Sequence, residues 1–223
     1  MDAATLPDYL DARNRMVDSQ IRPNKVTDPR LLDAMRSIPR ERFLPPAQRA
    51  RAYVDEDVPV GNGRVLMEPM VLARLIQLAA PIPGERALVV GVGTGYGAAV
   101  LAACGVSVVG LEEDKALLAA ARDVLTLQSP GVVLAEGRLA DGWPAAAPYD
   151  LILLEGAVRT IPPALASQLR HASGRLVTVL STRGRVGKAV LAEPTPAGLR
   201  AQPAFDCATP LLPSLQPAPG FVF

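Results

Sequence analysis

Four glycines (Gly91, Gly93, Gly95 and Gly97) follow the apolar run from Ala87 to Val90, and a carboxylate, Glu112, closes the next apolar run, Val106 to Leu111. A glycine turn after a buried strand lets a ligand lie against the backbone, because no Cβ blocks the approach. An acid about 20 residues further on sits at the tip of the second strand, where it can hold two ribose hydroxyls. Together they point to a nucleoside-containing cofactor. Two classes fit. A nicotinamide site asks for G-x-G-x-x-G/A, which Gly93 to Ala98 matches loosely. An S-adenosylmethionine site asks for G-x-G-x-G, which Gly91, Val92, Gly93 and Gly95 supply, with Tyr96 next in line. It also asks for a polar residue after the third strand, near the adenine, and Glu136-Gly137 stand there. Carboxylates at both strand tips favour the sulfonium, which is cationic and carries no phosphate.

Few other residues suggest chemistry. His171 is the only histidine and reads as structural. Cys104 and Cys207 lie far apart without metal-ligand spacing and read as buried free thiols. A net charge of +1 predicts neither a nucleic-acid partner nor an acidic membrane. Only three lysines occur among 23 basic residues, and the arginine excess reads as composition rather than phosphate binding. The first sixteen residues are acidic early and lack an apolar core, so no signal peptide is expected and the cytoplasm is the default location. Ala87 to Leu111 is uncharged and long enough to cross a bilayer, but its glycines and strand-turn-helix-strand rhythm read as the centre of a sheet.

The elements that must position these groups follow from periodicity. Ala3–Met16 and Asp28–Ser37 have helical spacing, the second starting on an Asp-Pro cap. Asp55–Met67 reads as extended and turn-rich, and a helix follows from Pro69 to about Leu78. Strands are then expected at 87–90, 106–111, 131–135, 150–154 and 174–180, with helices at 95–104, 115–127 and 162–171. That alternation predicts a doubly wound parallel α/β sheet. Lys188–Leu191 and Leu199–Phe205 are expected to form an antiparallel edge. Beyond them runs a proline-rich tail whose Phe221 and Phe223 suggest that it packs down. Residues 1–80 are expected as N-terminal helices and a substrate-side segment packed on a cofactor-binding unit, residues 81–223.

A further set of motifs runs in one order along nearly the whole chain: Met16-Val17, Gln20-Ile21, Asp28, Ala34-Met35, Pro39-Arg40, Phe43-Leu44-Pro45, Ala52-Tyr53, Val58-Pro59-Val60-Gly61, Gly63, Gly95-Tyr96, Pro148-Tyr149-Asp150, Ile161-Pro162, Gln168-Leu169 and Gly174-Arg175-Leu176-Val177. In these the sequence resembles the protein-L-isoaspartate O-methyltransferases. The resemblance implies a Rossmann-like class I methyltransferase fold and S-adenosylmethionine as cofactor. It implies methyl transfer to the carboxylate of isoaspartyl residues in damaged proteins or peptides. It places the acceptor along Val58, Pro59, Val60 and Gly61 and beside positions 67 and 68. The sequence departs from the family there. Arg64-Val65-Leu66-Met67-Glu68-Pro69-Met70 stands where the family usually has Gln-Thr-Ile-Ser-Gln-Pro-Tyr. Met67 replaces the serine and Glu68 a glutamine. Val89 replaces an acid on the first strand, and Glu155, at a later strand tip, is a candidate substitute for it near the cofactor. Three readings stand: an isoaspartyl methyltransferase, a methyltransferase of the same fold with another acceptor, and a non-catalytic cofactor-binding protein.

Overall fold

The computed structural model describes residues 9–182, 186–196 and 198–216; the expected packing of Phe221 and Phe223 lies outside them. Helices α1 (Tyr9–Met16) and α2 (Pro29–Ser37) open the chain. Asp28 caps α2 by accepting the Arg30 N–H at 3.0 Å, and the helix buries Leu31, Ala34 and Met35, one face at spacings of three and one. Strands β1 (Val58–Gly61) and β2 (Arg64–Leu66) form a separate two-stranded hairpin. Its turn residues Asn62 and Gly63 both take positive φ, 50° and 71°, as a tight hairpin of this hand requires. Helix α3 (Pro69–Ala79) starts on a proline. It ends where Ala79 and Ala80 give their carbonyls to the Arg175 guanidinium, a cation at a helix C-terminus.

The sheet follows: β3 (Arg86–Val90), α4 (Tyr96–Ala103), β4 (Ser107–Glu112), α5 (Lys115–Gln128), β5 (Val133–Glu136), β6 (Leu151–Val158), α6 (Pro163–Ala166), β7 (Arg175–Leu180), β8 (Lys188–Thr195) and β9 (Gly198–Asp206). The spatial order is β5-β4-β3-β6-β7-β8-β9. The first five in that order are parallel; β8 and β9 add antiparallel. The chain winds one way from β3 to β5, then returns to place β6 on the other side of β3. Ligands bind outside the carboxyl ends of strands at such a reversal. The would-be membrane span is β3, α4 and β4, buried almost throughout because helices cover both faces of a parallel sheet. No helix among the described residues is long and apolar enough to cross a membrane. Buried side chains of the N-terminal helices, Leu31 and Met35 among them, share one core with α3, α4 and the sheet.

Several boundaries differ from the sequence reading. The helix expected over 162–171 is a single turn, α6, because the chain then bends back so that the Tyr149 N–H reaches the Gln168 carbonyl at 2.8 Å. The strand expected to stop at 154 runs on to Val158, with a register break between Leu153 and Ala157. Glu155 and Gly156 therefore lie within β6 rather than after it. Both cysteines are buried and free, and burial pushes their thiols up to about 11.

Candidate active site

The glycine turn, the tip of β4 and the β1–β2 hairpin meet at the carboxyl end of the sheet. Glu112 is fully buried and its carboxylate is saturated by protein donors. The backbone N–H groups of Gly93, Glu113 and Asp114 donate to it at 2.8, 3.0 and 3.2 Å. Arg64, from β2, adds its guanidinium: Nη1 lies 3.0 Å from both carboxylate oxygens, and Nη2 donates to the Gly91 carbonyl at 2.6 Å. The Arg64 side chain is only 7% exposed. The ion pair thus bridges the two features read from sequence as a cofactor cradle. Arg64 itself was not among the expected site residues. Its signal was present: a cation stands where the family usually carries a neutral glutamine.

The glycines divide by role. Gly91 has φ 73°, and a Cβ there would meet Arg64 Nη2 at 2.9 Å and Leu212 Cδ2 at 3.1 Å. A Cβ on Gly97 would meet Glu155 Oε2 at 2.5 Å. Arg64, Leu212 and Glu155 fill the space beside these two. Gly95 differs: its Cβ would strike Leu125 of α5 at 2.7 Å, so its missing side chain serves helix packing rather than ligand approach. Val92 is buried, its N–H on the Leu111 carbonyl at 3.1 Å, and the Gly137 N–H donates to the Glu112 carbonyl at 3.1 Å. Tyr96 is fully buried. Its ring stacks edge-on against Phe43 at 5.3 Å, with the Arg40 guanidinium 4.9 Å above it.

Glu155 is buried within β6, one residue beyond the level where β3 ends, and its Oε2 has no hydrogen-bond partner among the described residues. Burial pushes its carboxyl up to about 8, against the pull of Arg64 and Arg40. An orphaned buried carboxylate oxygen beside a glycine-lined turn suits a cationic ammonium, and Glu112 suits a ribose diol. The residues therefore fit an adenosyl sulfonium cofactor, with Arg64 standing in for the diol. Leu212 covers the turn. Its N–H donates to the Ala157 carbonyl at 2.9 Å, and the Ala157 N–H donates to Pro210 at 3.0 Å, so residues 210–212 lie against the end of β6.

Glu136 lies 3.4 Å from Lys115, and its side chain is 54% exposed. Met67 is buried in the core, and its carbonyl accepts from Arg40 Nη2 at 2.7 Å. Arg40, fully buried, also donates from Nε to the Ala52 carbonyl at 2.7 Å and pins the segment leading to β1. Val58 and Val60 point inward, while Pro59 and Gly61 are exposed on the hairpin. Glu68 is half-buried, and burial, with the carboxylates of Asp55 and Asp57 beside it, pushes it up to about 7. Its N–H donates to Asp57 Oδ1 at 2.7 Å. His171 is exposed, on a turn.

Residues 11–190 match the family described as protein-L-isoaspartate(D-aspartate) O-methyltransferase. The chain is 44% identical over 179 residues to a protein-L-isoaspartate O-methyltransferase of Methylorubrum extorquens, covering 80% of this chain and 78% of that one. It is 40% identical over 174 residues to the protein of the same name in Methanoregula boonei, covering 78% and 80%. Among solved structures, one called protein-L-isoaspartate O-methyltransferase superposes with a TM-score of 0.77 at 22% identity, over 91% of this chain and 65% of that one. A putative protein-L-isoaspartate O-methyltransferase from Plasmodium falciparum, in complex with S-adenosyl-L-homocysteine, superposes with a TM-score of 0.75 at 18% identity, over 90% and 97%. A parallel sheet reversing at β3/β6, a glycine turn backed by a buried acid, and these matches over most of its length agree: the chain belongs to the protein-L-isoaspartate(D-aspartate) O-methyltransferase family.

Proposed function

We propose that the chain transfers a methyl group from S-adenosylmethionine to the free carboxylate of isoaspartyl residues in damaged proteins or peptides. The observation that carries this reading is the cradle, the Gly93 N–H on the Glu112 carboxylate with Arg64 bridging that carboxylate to Gly91, in a chain of this family. When bound, the cofactor supplies an already activated methyl group on a cationic sulfur. The acceptor is an anion and a nucleophile as it stands, so the protein needs no general base. Its work is alignment in a site from which water is excluded.

Each residue has a place in that work. Glu112 holds the ribose diol. Glu155 holds the cofactor's ammonium in place of the acid that Val89 has lost. The Arg40 hydrogen bonds to Ala52 and Met67 fix both ends of the segment bearing the hairpin. The exposed Pro59 and Gly61 lie along the acceptor side, where an extended peptide can pair as an added strand. The assay incubates the protein with methyl-labelled S-adenosylmethionine and an isoaspartyl peptide or its aspartyl twin. Label on the isoaspartyl peptide alone is expected. Label on neither overturns the reading.

A second reading rests on Asp55, Asp57 and Glu68. Three carboxylates beside the acceptor segment disfavour an anion and favour a neutral or cationic acceptor. That reading gains if Glu68→Gln raises labelling of the isoaspartyl peptide while lowering labelling of an amine-bearing one.

A further inference from the structure

We propose that Arg64 is an internal competitor of the cofactor: its guanidinium occupies the ribose-binding end of the cradle and must leave Glu112 and Gly91 before a nucleoside can bind there. The proposal rests on reading the cradle as a cofactor site. Arg64 Nη1 makes the two carboxylate contacts at 3.0 Å that a vicinal diol would otherwise make. Nη2 takes the Gly91 carbonyl at 2.6 Å and lies 2.9 Å from where a Cβ of Gly91 would be, in the space the missing side chain leaves open. One side chain therefore engages both the turn and the strand tip. Gln, the family's usual residue here, is shorter and uncharged and cannot hold both.

The setting suits a displaceable group. Arg64 follows the Asn62-Gly63 turn of a two-stranded hairpin outside the main sheet. The hairpin is anchored through the buried Val58, Val60 and Leu66, so the movement required is that of the Arg64 side chain alone. Three backbone N–H groups stay on Glu112 when the guanidinium leaves, so the carboxylate gives up its ion pair but keeps hydrogen-bond partners. A site held closed about 90% of the time binds about tenfold more weakly than its open form.

The test is calorimetric titration of S-adenosylhomocysteine, which binds without turnover, into wild type, Arg64→Gln and Arg64→Gly. Binding at least tenfold tighter to both variants is expected. Methylguanidinium at low millimolar concentration is expected to weaken binding to Arg64→Gly and to leave wild type unchanged, because only the glycine variant has room for it. Equal or weaker binding to variants that melt as wild type does overturns the proposal and leaves the cofactor reading intact. No binding to any folded form overturns both. Should the neutral variants fold poorly, Arg64→Lys decides. It keeps charge and stem but cannot span Glu112 and Gly91, so tighter binding supports the proposal and unchanged binding overturns it.

Discussion

Glu155 makes the stability of this protein depend on pH in an uncommon direction. Its carboxyl rises from an ordinary 4.5 to about 8 because burial outweighs the attraction of Arg64 and Arg40. Between those values the folded chain keeps a proton that the unfolded chain has released. The folded state binds more protons, so stability falls as pH rises through the window. Each pH unit costs about 1.4 kcal/mol, on the order of 4–5 kcal/mol across the whole window. Below pH 4.5 the group contributes nothing, and above pH 8 the penalty is constant. Glu155→Gln keeps the shape and removes the titration. Any cost of the new amide is the same at every pH, so the slope is the diagnostic. Urea unfolding of both proteins from pH 5 to 8.5 is expected to give a stability difference that moves in favour of the variant by several kcal/mol as pH rises. A difference that stays flat over that range would refute the assignment of Glu155 as a buried, protonated acid. The same logic makes binding of the cationic cofactor release a proton near neutral pH, visible as a buffer-dependent heat in calorimetry.

Three further outcomes follow from particular contacts. Arg40→Met strands the carbonyls of Ala52 and Met67, and a loss of roughly 3 kcal/mol is expected, read as a fall in melting temperature of about 6–12 °C; an unchanged melting point counts against Arg40 as the anchor of this segment. Gly95→Ala places a Cβ on Leu125 at a φ of 99°, so about 1–3 kcal/mol of stability is expected to go; a neutral result would mean the turn tolerates side chains and is not packed as described. Met67→Ser restores the family's residue type but empties a buried site, so a loss of about 2–4 kcal/mol is expected without a gain in isoaspartyl labelling. A rise of tenfold or more in that labelling would show that the side chain faces the acceptor after all.

Periodicity and composition were enough for most of the fold. The apolar runs that became β3, β4 and β6 read as the buried centre of a parallel sheet, and the Asp28-Pro29 cap marked its helix because capping is local chemistry. The Lys188–Thr195 and Gly198–Asp206 edge was legible for the same reason: an antiparallel hairpin needs only neighbouring residues. Glycine spacing and the acid at the next strand tip likewise located the cradle, since the chain between them has a fixed length. What spacing cannot carry is direction across the fold. Whether Gly95 faces a ligand or Leu125, and whether Glu136 turns inward or to Lys115, depends on packing between elements distant in sequence. The partner of Glu112 comes from Arg64, 48 residues earlier, on a hairpin outside the sheet. Only tertiary structure brings that guanidinium to the glycines. The physical reason is that a buried carboxylate must be neutralised by whichever cation the fold delivers.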